Sequence, residues 1–286
     1  MKALITGSHG FLGTHLADEL AERGVDVFAF PRALFLDVEE ATKFIDKIKP
    51  DYIYHLAAYG NMSNQKDEAQ MIASNVLGTF SLLEASRLLP YSAFVYVSTS
   101  SVYGTKEKPM KEIDVCDTDT YYGVTKLSGE YLCKAFAKKH NKPITILRPF
   151  SIYGPNEASF RFIPTVIKKI KDEEVLELES RTNHDWLYVK DFVKAVTLVS
   201  GKIQQTRGKI INVGTGNQYT NMEVVRKIEE IMDKEASIQE SLNMREFEVS
   251  SWVADNTVMR SFGWKPKYDL VSGLKETINV NNKQKP

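Results

Sequence analysis

Three observations predict a doubly wound α/β fold built on a parallel sheet. Short apolar runs bounded by turn residues alternate with longer amphipathic segments. Three glycines, at positions 7, 10 and 13, separate the first apolar run from the first helical pattern. The 286 residues carry 43% hydrophobic and 10% aromatic side chains, enough to fill the core that such a sheet encloses.

The elements follow in chain order. Ala3-Leu4-Ile5 reads as the first strand and Thr14 to Arg23 as the first helix, stopped at Gly24. Val25 to Phe30 is the second strand, and Glu39 to Ile48 is a helix closed by Pro50. Tyr52 to Ala57 is a third buried strand. Asn75 to Leu89 has helical spacing, with Gly78 and Ala85 marking close packing. Ala93 to Val97 is a strand running into a Ser/Thr cluster, Tyr121 to Lys139 a long helix, and Ile144 to Leu147 a strand closed by Arg148-Pro149. Beyond Pro149 the elements shorten, before a helix at Asp191 to Ser200 and a strand at Ile210 to Val213. Helices at Asn221 to Lys234 and Leu270 to Val280 complete the chain. The expected organisation is a sheet domain of residues 1–150, to which 185–216 return. A smaller lobe of residues 151–184 and 217–286 is interleaved with it.

Composition narrows the function. Lys+Arg and Asp+Glu both total 37, so the basic stripe of a nucleic-acid binder is not expected. The two cysteines, Cys116 and Cys133, lack metal-ligand spacing and read as free thiols of a reducing compartment. No signal peptide is visible, and no apolar run approaches the ~20 residues of a membrane span, so a cytoplasmic protein is expected and the sequon at Asn61 is incidental.

The stretch from Lys2 to Gly13 is the first half of a dinucleotide-binding βαβ unit. Gly7 permits the sharp turn, Gly10 lets the backbone approach a pyrophosphate, and Gly13 lets the helix pack on the strand. His9, Phe11 and Leu12 complete the loop, whose free N–H groups would hold phosphates. In a Rossmann unit an acidic residue ending the second strand binds the ribose 2′-OH of NAD. Here Phe30 runs into Pro31-Arg32, and a guanidinium there suits the 2′-phosphate of NADP, which is favoured over NAD. Asp37, next to Val38, either meets the adenine or caps the following helix.

Two further segments carry the chemistry. Val97 to Gly104 places hydroxyls just beyond the carboxyl end of a buried strand, where α/β sheets bind ligands. Tyr122 and Lys126 are i and i+4 on a helix and share a face. A tyrosine, with an ordinary pKa of ~10, is a poor base at neutral pH. A lysine ammonium one turn away and a nicotinamide cation would lower that pKa. Tyr122 would then exchange a proton with a substrate oxygen while hydride moves at nicotinamide C4.

Together TGSHGFLG, HLAA, STSSVYG, YYGVTK, RPFSIYGP, NVGTG and the closing FGWKPKYDL resemble the extended short-chain dehydrogenase/reductases, the NAD(P)-dependent epimerases, dehydratases and reductases of nucleotide sugars. The resemblance runs from residue 3 to about 280. It implies catalytic roles for Thr99, Tyr122 and Lys126, with Lys126 also holding the nicotinamide ribose. It places His55 to Ala58, including Leu56 and Ala57, along the adenosine and pyrophosphate path, although a buried histidine is more often a satisfied core residue. Pro149 and Ser151 would adjoin the nicotinamide and the substrate, and the helices at 75–89 and 121–139 resemble the pair that makes the family's homodimer.

Within that family, the short connection after Arg32 resembles the NADPH-dependent 4-ketoreductases of 4-keto-6-deoxysugars, the leading expectation. A nucleotide-sugar 4-epimerase with retained NAD is the alternative, and a non-catalytic NADP-binding regulator a remote one. Ser100 and Ser101 stand where the dehydratases have Asp-Glu, so dehydration is not expected. Ser101 and Asn156 replace the Cys and His that some reductases use to epimerise. Candidate substrate contacts are Ser100, Ser101, Asn156, Arg161, Arg181, His184 and Arg245, the arginines for a diphosphate. His184-Asp185-Trp186 fills the family's Arg-Asp-Phe/Tyr position. Trp186 and Tyr153 would pack on a base or in the core.

Overall fold

The computed structural model describes residues 1–62, 64–241 and 251–283, without the side chains of 281–283. Six parallel strands form the central sheet: β1 (Lys2–Thr6), β2 (Asp26–Ala29), β3 (Tyr52–His55), β4 (Ala93–Val97), β5 (Ile144–Pro149) and β10 (Ile210–Val213). Their spatial order is β10-β5-β4-β3-β1-β2. The direction of winding reverses between β1 and β3, and the crevice beyond the carboxyl ends of those strands is where such sheets take ligands.

Helices cover both faces, as parallel sheets require. On one face, α1 (Phe11–Glu22) and α7 (Val189–Gly201) pack through Leu16, Leu20, Phe192 and Val196 against Ile5, Val95 and Ile211. On the other, α2 (Val38–Ile48), α3 (Glu68–Ile72), α4 (Gly78–Ala85) and α5 (Tyr121–His140) are arrayed, with Ile45, Leu82, Leu83 and Cys133 against Leu4, Ile53 and Phe94. Helix α8 (Ile203–Thr206) leads into β10.

The remaining elements make the lobe. β6 (Ser151–Tyr153) pairs with β9 (Trp186–Tyr188), β7 (Leu176–Leu178) with β12 (Ile238–Glu240), and β8 (Asn183–His184) with β11 (Tyr219–Thr220). Helices α6 (Phe162–Lys171), α9 (Asn221–Met232) and α11 (Leu270–Lys283) close over them, while α10 (Thr257–Ser261) lies against β10. Tyr153 and Trp186 are core residues here, packed edge to face with centroids 6.2 Å apart.

Two buried carboxylates seat the lobe on the sheet. Asp185 accepts from Thr215 N at 2.8 Å, Thr215 Oγ1 at 2.6 Å, Gly216 N at 2.9 Å and Ala254 N at 3.1 Å. Asp191 accepts from Lys267 N and Tyr268 N, both at 2.9 Å, and so fixes the segment entering α11. Neither role shows in local sequence.

Three differences from the sequence expectation bear on the site. α1 begins at Phe11 rather than Thr14, because the Gly7 turn closes at once through a Gly10 N–H to Gly7 O bond of 3.0 Å. β3 stops at His55, since Leu56 and Ala57 turn their N–H groups onto Thr6 Oγ1, each at 3.1 Å. Where one helix is expected over 75–89, the chain runs from α3 through a π turn at Ala73–Leu77 into α4, which ends at Ala85. Asn75 lies in that turn. Its amide oxygen accepts from Tyr59 N at 2.8 Å, and its amide nitrogen donates to Tyr59 O at 2.8 Å and Thr125 Oγ1 at 3.0 Å.

Candidate active site

The glycine turn, the loop after β3, the loop after β4, the start of α5 and the entrance to the lobe enclose a cavity of about 690 Å³. That volume lies in the range of small-molecule sites. Gly7, Gly10, Phe11, Leu12 and Gly13 line one end, with Arg32, Leu56, Ala57 and Ala58 beside them. Gly7 has φ of +73°, and a Cβ there would lie 3.0 Å from Ala57 N. A Cβ on Gly13 would sit 2.7 Å from Ser8 Cα and closer still to the Gly7 carbonyl, so α1 can approach β1 only without a side chain. No side chain caps α1 and no acid stands in its first turn, which leaves its first N–H groups free for an anion. This cradle fits the pyrophosphate of a dinucleotide.

Several candidates stand elsewhere. Asp37 caps α2 by accepting from Glu40 N at 3.0 Å, with Val38 starting that helix, so neither reaches the cavity wall. His9 is exposed, lies 3.2 Å from Ser8 Oγ through Nδ1, and does not line the cavity. His55 is fully buried between Thr6 Oγ1 (2.7 Å to Nδ1) and Thr79 Oγ1 (2.9 Å to Nε2), a satisfied core histidine. Thr6 Oγ1 accepts two backbone N–H groups and Thr79 donates to Asn75 O, so the network assigns the proton to Nε2. Burial holds its pKa well below the usual range.

The same cavity is lined by Ser98, Thr99, Ser100, Ser101, Tyr122, Lys126, Pro149 and Ser151. Thr120 caps α5 by accepting from Gly123 N at 3.1 Å, and a Cβ on Gly123 would lie 2.9 Å from Ser101 O. This close approach brings Tyr122 within hydrogen-bonding reach of Thr99. The Thr99 hydroxyl accepts from Ser101 N at 3.1 Å and adjoins Ser101 Oγ at 3.1 Å.

Burial pushes the Tyr122 phenol up to about 12, against the opposing pull of the Thr99 hydrogen bond and the Arg161 charge. The sequence expectation gave that pull to Lys126. The Lys126 ammonium instead lies 4.3 Å over the Tyr96 ring, and burial lowers it to about 8. Phenol and ammonium are thus held protonated but poised, and a cation added to the cavity would draw Tyr122 down.

The substrate candidates divide. Arg161, His184 and the two serines reach the cavity, with Ser151 Oγ 3.1 Å from His184 Nδ1. Asn156 is exposed on a turn with φ of 66° and Arg181 is exposed ahead of β8, and neither lines the cavity, which Glu157 and His184 do. Arg245 lies outside the described residues. Sequence reasoning missed Trp252, whose indole N–H donates to Ser100 Oγ at 3.1 Å, and Glu157. An isolated tryptophan or glutamate gives no local signal of facing a cavity.

Residues 3–214 match the family model described as the NAD dependent epimerase/dehydratase family. The chain belongs to that family, the extended short-chain dehydrogenase/reductases. A Bacillus subtilis protein named as an uncharacterized UDP-glucose epimerase, YtcB, is 30% identical over 97% of both chains. The dTDP-glucose 4,6-dehydratase of Salmonella typhimurium is 26% identical over 97% of this chain and 92% of its own. Among solved structures, UDP-glucuronic acid 4-epimerase from Bacillus cereus, in complex with UDP-glucuronic acid and NAD, superposes with a TM-score of 0.90 at 26% identity, covering 100% of each chain. UDP-glucose 4-epimerase of Thermotoga maritima, with UDP-glucose, gives 0.89 at 26% identity and 99% of each. These relatives are epimerases and a dehydratase rather than the 4-ketoreductases that the short connection after β2 suggested.

Proposed function

We propose that this enzyme is a nucleotide-sugar 4-epimerase that uses a retained nicotinamide dinucleotide. The observation that carries the reading is the Thr99–Tyr122 pair beside Lys126, lining the same cavity as the glycine cradle. The epimerases among its relatives support it. A bound dinucleotide supplies reversible hydride acceptance at the sugar carbon. Tyr122 takes the proton of the substrate hydroxyl and later returns it, Thr99 hydrogen-bonds the same oxygen, and Lys126 holds the cofactor ribose. Ser100 and Ser101 leave the dehydratase acid positions without acids, and the Trp252 indole already engages Ser100.

Arg32 favours a second reading. It lies on the cavity wall directly after β2, where a guanidinium suits a 2′-phosphate, and this supports NADP and an NADPH-dependent 4-keto reduction of a nucleotide-linked sugar. One experiment separates the two. Denatured, purified enzyme is assayed for released NAD⁺ or NADP⁺, and native enzyme is given UDP-, dTDP-, GDP- and CDP-hexoses and their 4-keto-6-deoxy derivatives. Interconversion of 4-epimers without net formation or loss of reduced nicotinamide is expected. Stoichiometric NADPH oxidation by 4-keto sugars, without epimer formation, would overturn the epimerase.

We also propose a homodimer through α3, α4 and α5. These helices pack side by side and, with the π turn between α3 and α4, expose Ile72, Leu77, Phe80, Val124 and Tyr131. Light scattering of Val124→Asp should show a monomer where the parent chain is a dimer, and a monomeric parent would exclude the assembly.

A further inference from the structure

The cavity wall carries a carboxyl group that the catalytic scheme does not use. Glu157 follows the Asn156 turn, with its N–H on Gly154 O at 3.3 Å. Its side chain is only 6% exposed, yet it lines the cavity. Oε1 faces Arg161 Nε at 3.4 Å, while Oε2 is buried with no hydrogen-bond partner among the described residues. A buried carboxylate oxygen without a donor is costly, and native structures rarely keep one unless a ligand completes it. Burial pushes this carboxyl up to about 7, with Arg161 opposing.

Arg161 is engaged on two sides. Its Nε meets Glu157, and its Nη1 donates to Asn61 O at 3.2 Å. Its charge also reaches Tyr122. The pair therefore lines the cavity within electrostatic reach of Tyr122, on the turn whose Pro155 O lies 2.8 Å from His15 Nε2 of α1.

We propose that Glu157 determines which sugar this site accepts: its free Oε2 receives a hydroxyl of a neutral hexosyl ring, and its pairing with Arg161 disfavours a uronate. The proposal rests on the nucleotide-sugar reading above. A hexose hydroxyl supplies the donor that Oε2 lacks. A sugar carboxylate would face a second carboxyl and find Arg161 already paired, so one of the two acids would have to bind a proton. Specificity here is set by an unfavourable contact with the wrong sugar as much as by a favourable one with the right sugar.

Calorimetry with UDP, dTDP, GDP and CDP first identifies the nucleoside diphosphate that binds the holoenzyme. Glucose and glucuronate carried on that nucleotide are then compared in the parent chain, Glu157→Gln and Glu157→Ala, for affinity, KM and kcat. The parent chain should prefer the glucosyl compound. Glu157→Gln should raise its KM about 10-fold, the loss expected for one hydrogen bond to a charged group, with a smaller change in kcat. The same variant should bind the glucuronosyl compound more tightly, and all three proteins should bind the bare diphosphate equally, which shows an intact fold. A parent preference for glucuronate, or an unchanged preference in both variants with diphosphate binding intact, overturns the role of Glu157. A parent chain that binds none of the four diphosphates overturns the nucleotide-sugar reading, and the proposal with it.

Discussion

The ion pair between Glu130 and Arg148 gives a demanding test of how this core is held. Glu130 lies one turn beyond Lys126 on α5, and Arg148 sits near the end of β5. Arg148 donates to the carboxylate twice, Nη2 to Oε2 at 2.7 Å and Nε to Oε1 at 2.9 Å, and Ser98 Oγ donates to Oε1 at 2.5 Å. The two side chains are 3% and 2% exposed. The guanidinium lies 4.6 Å over the Tyr103 ring, and its Nη1 has no hydrogen-bond partner among the described residues. Removing one member of such a pair leaves the other charge buried and uncompensated, at a cost of about 3–5 kcal/mol. For Glu130→Leu we expect about 4 kcal/mol, and for Glu130→Gln, which keeps one acceptor oxygen, about 3 kcal/mol. At roughly 2–4 °C per kcal/mol for a chain of this size, Glu130→Gln should lower Tm by about 6–12 °C. The double variant Glu130→Leu/Arg148→Met should lose less than the sum of its singles, because neither charge stays behind. Urea unfolding at constant m-value measures all of these. Strict additivity, or a Glu130→Leu loss below about 1 kcal/mol, would refute the claim of a desolvated, coupled pair.

Other tests concern the site directly. Tyr122→Phe should lower kcat by about 10²–10⁴-fold while dinucleotide content is unchanged, since the phenol moves a proton and the cradle lies elsewhere. Gly13→Ala should yield protein without copurified dinucleotide and with reduced stability, because a methyl there meets the Gly7 carbonyl, and full occupancy would contradict the cradle. Lys126 links stability to pH. Its folded pKa of about 8 lies below its ordinary value of 10.5, so the folded chain binds fewer protons than the unfolded one between those limits, and stability rises with pH through that window. In cofactor-free protein Lys126→Met should therefore be more stable than the parent chain at pH 7, with the advantage shrinking from pH 8 to 10.5 in matched urea titrations. An advantage that grew over that range would show the sign to be wrong.

Buried parallel strands were legible because their apolar runs are nearly continuous, and the ranges read for β4 and β10 agree with the structure residue for residue. The glycine cradle was legible because only glycine satisfies both the turn and the helix approach at those spacings. Helix phase was not. The π turn at Ala73–Leu77 exists to let Asn75 reach Tyr59 and Thr125, and periodicity cannot report a contact with residue 59 or 125. Asp37 shows the converse, a local cap whose nearness to a predicted ligand made it a binding candidate as well. Glu157 and Trp252 became visible only when tertiary packing turned them toward the same space as Tyr122.

The π turn also bears on length. It spends one more residue per hydrogen-bonded turn than an α-helix does, so deleting a single residue within 73–77 would let the ladder run straight through, with the helix beyond it still in phase. Leu82 and Leu83 would stay against the sheet and Phe80 would stay exposed. The cost would fall on the widened turn itself, from which Asn75 reaches Tyr59 and Thr125. The extra residue thus serves the loop after β3 and leaves the helix that follows it indifferent to the change.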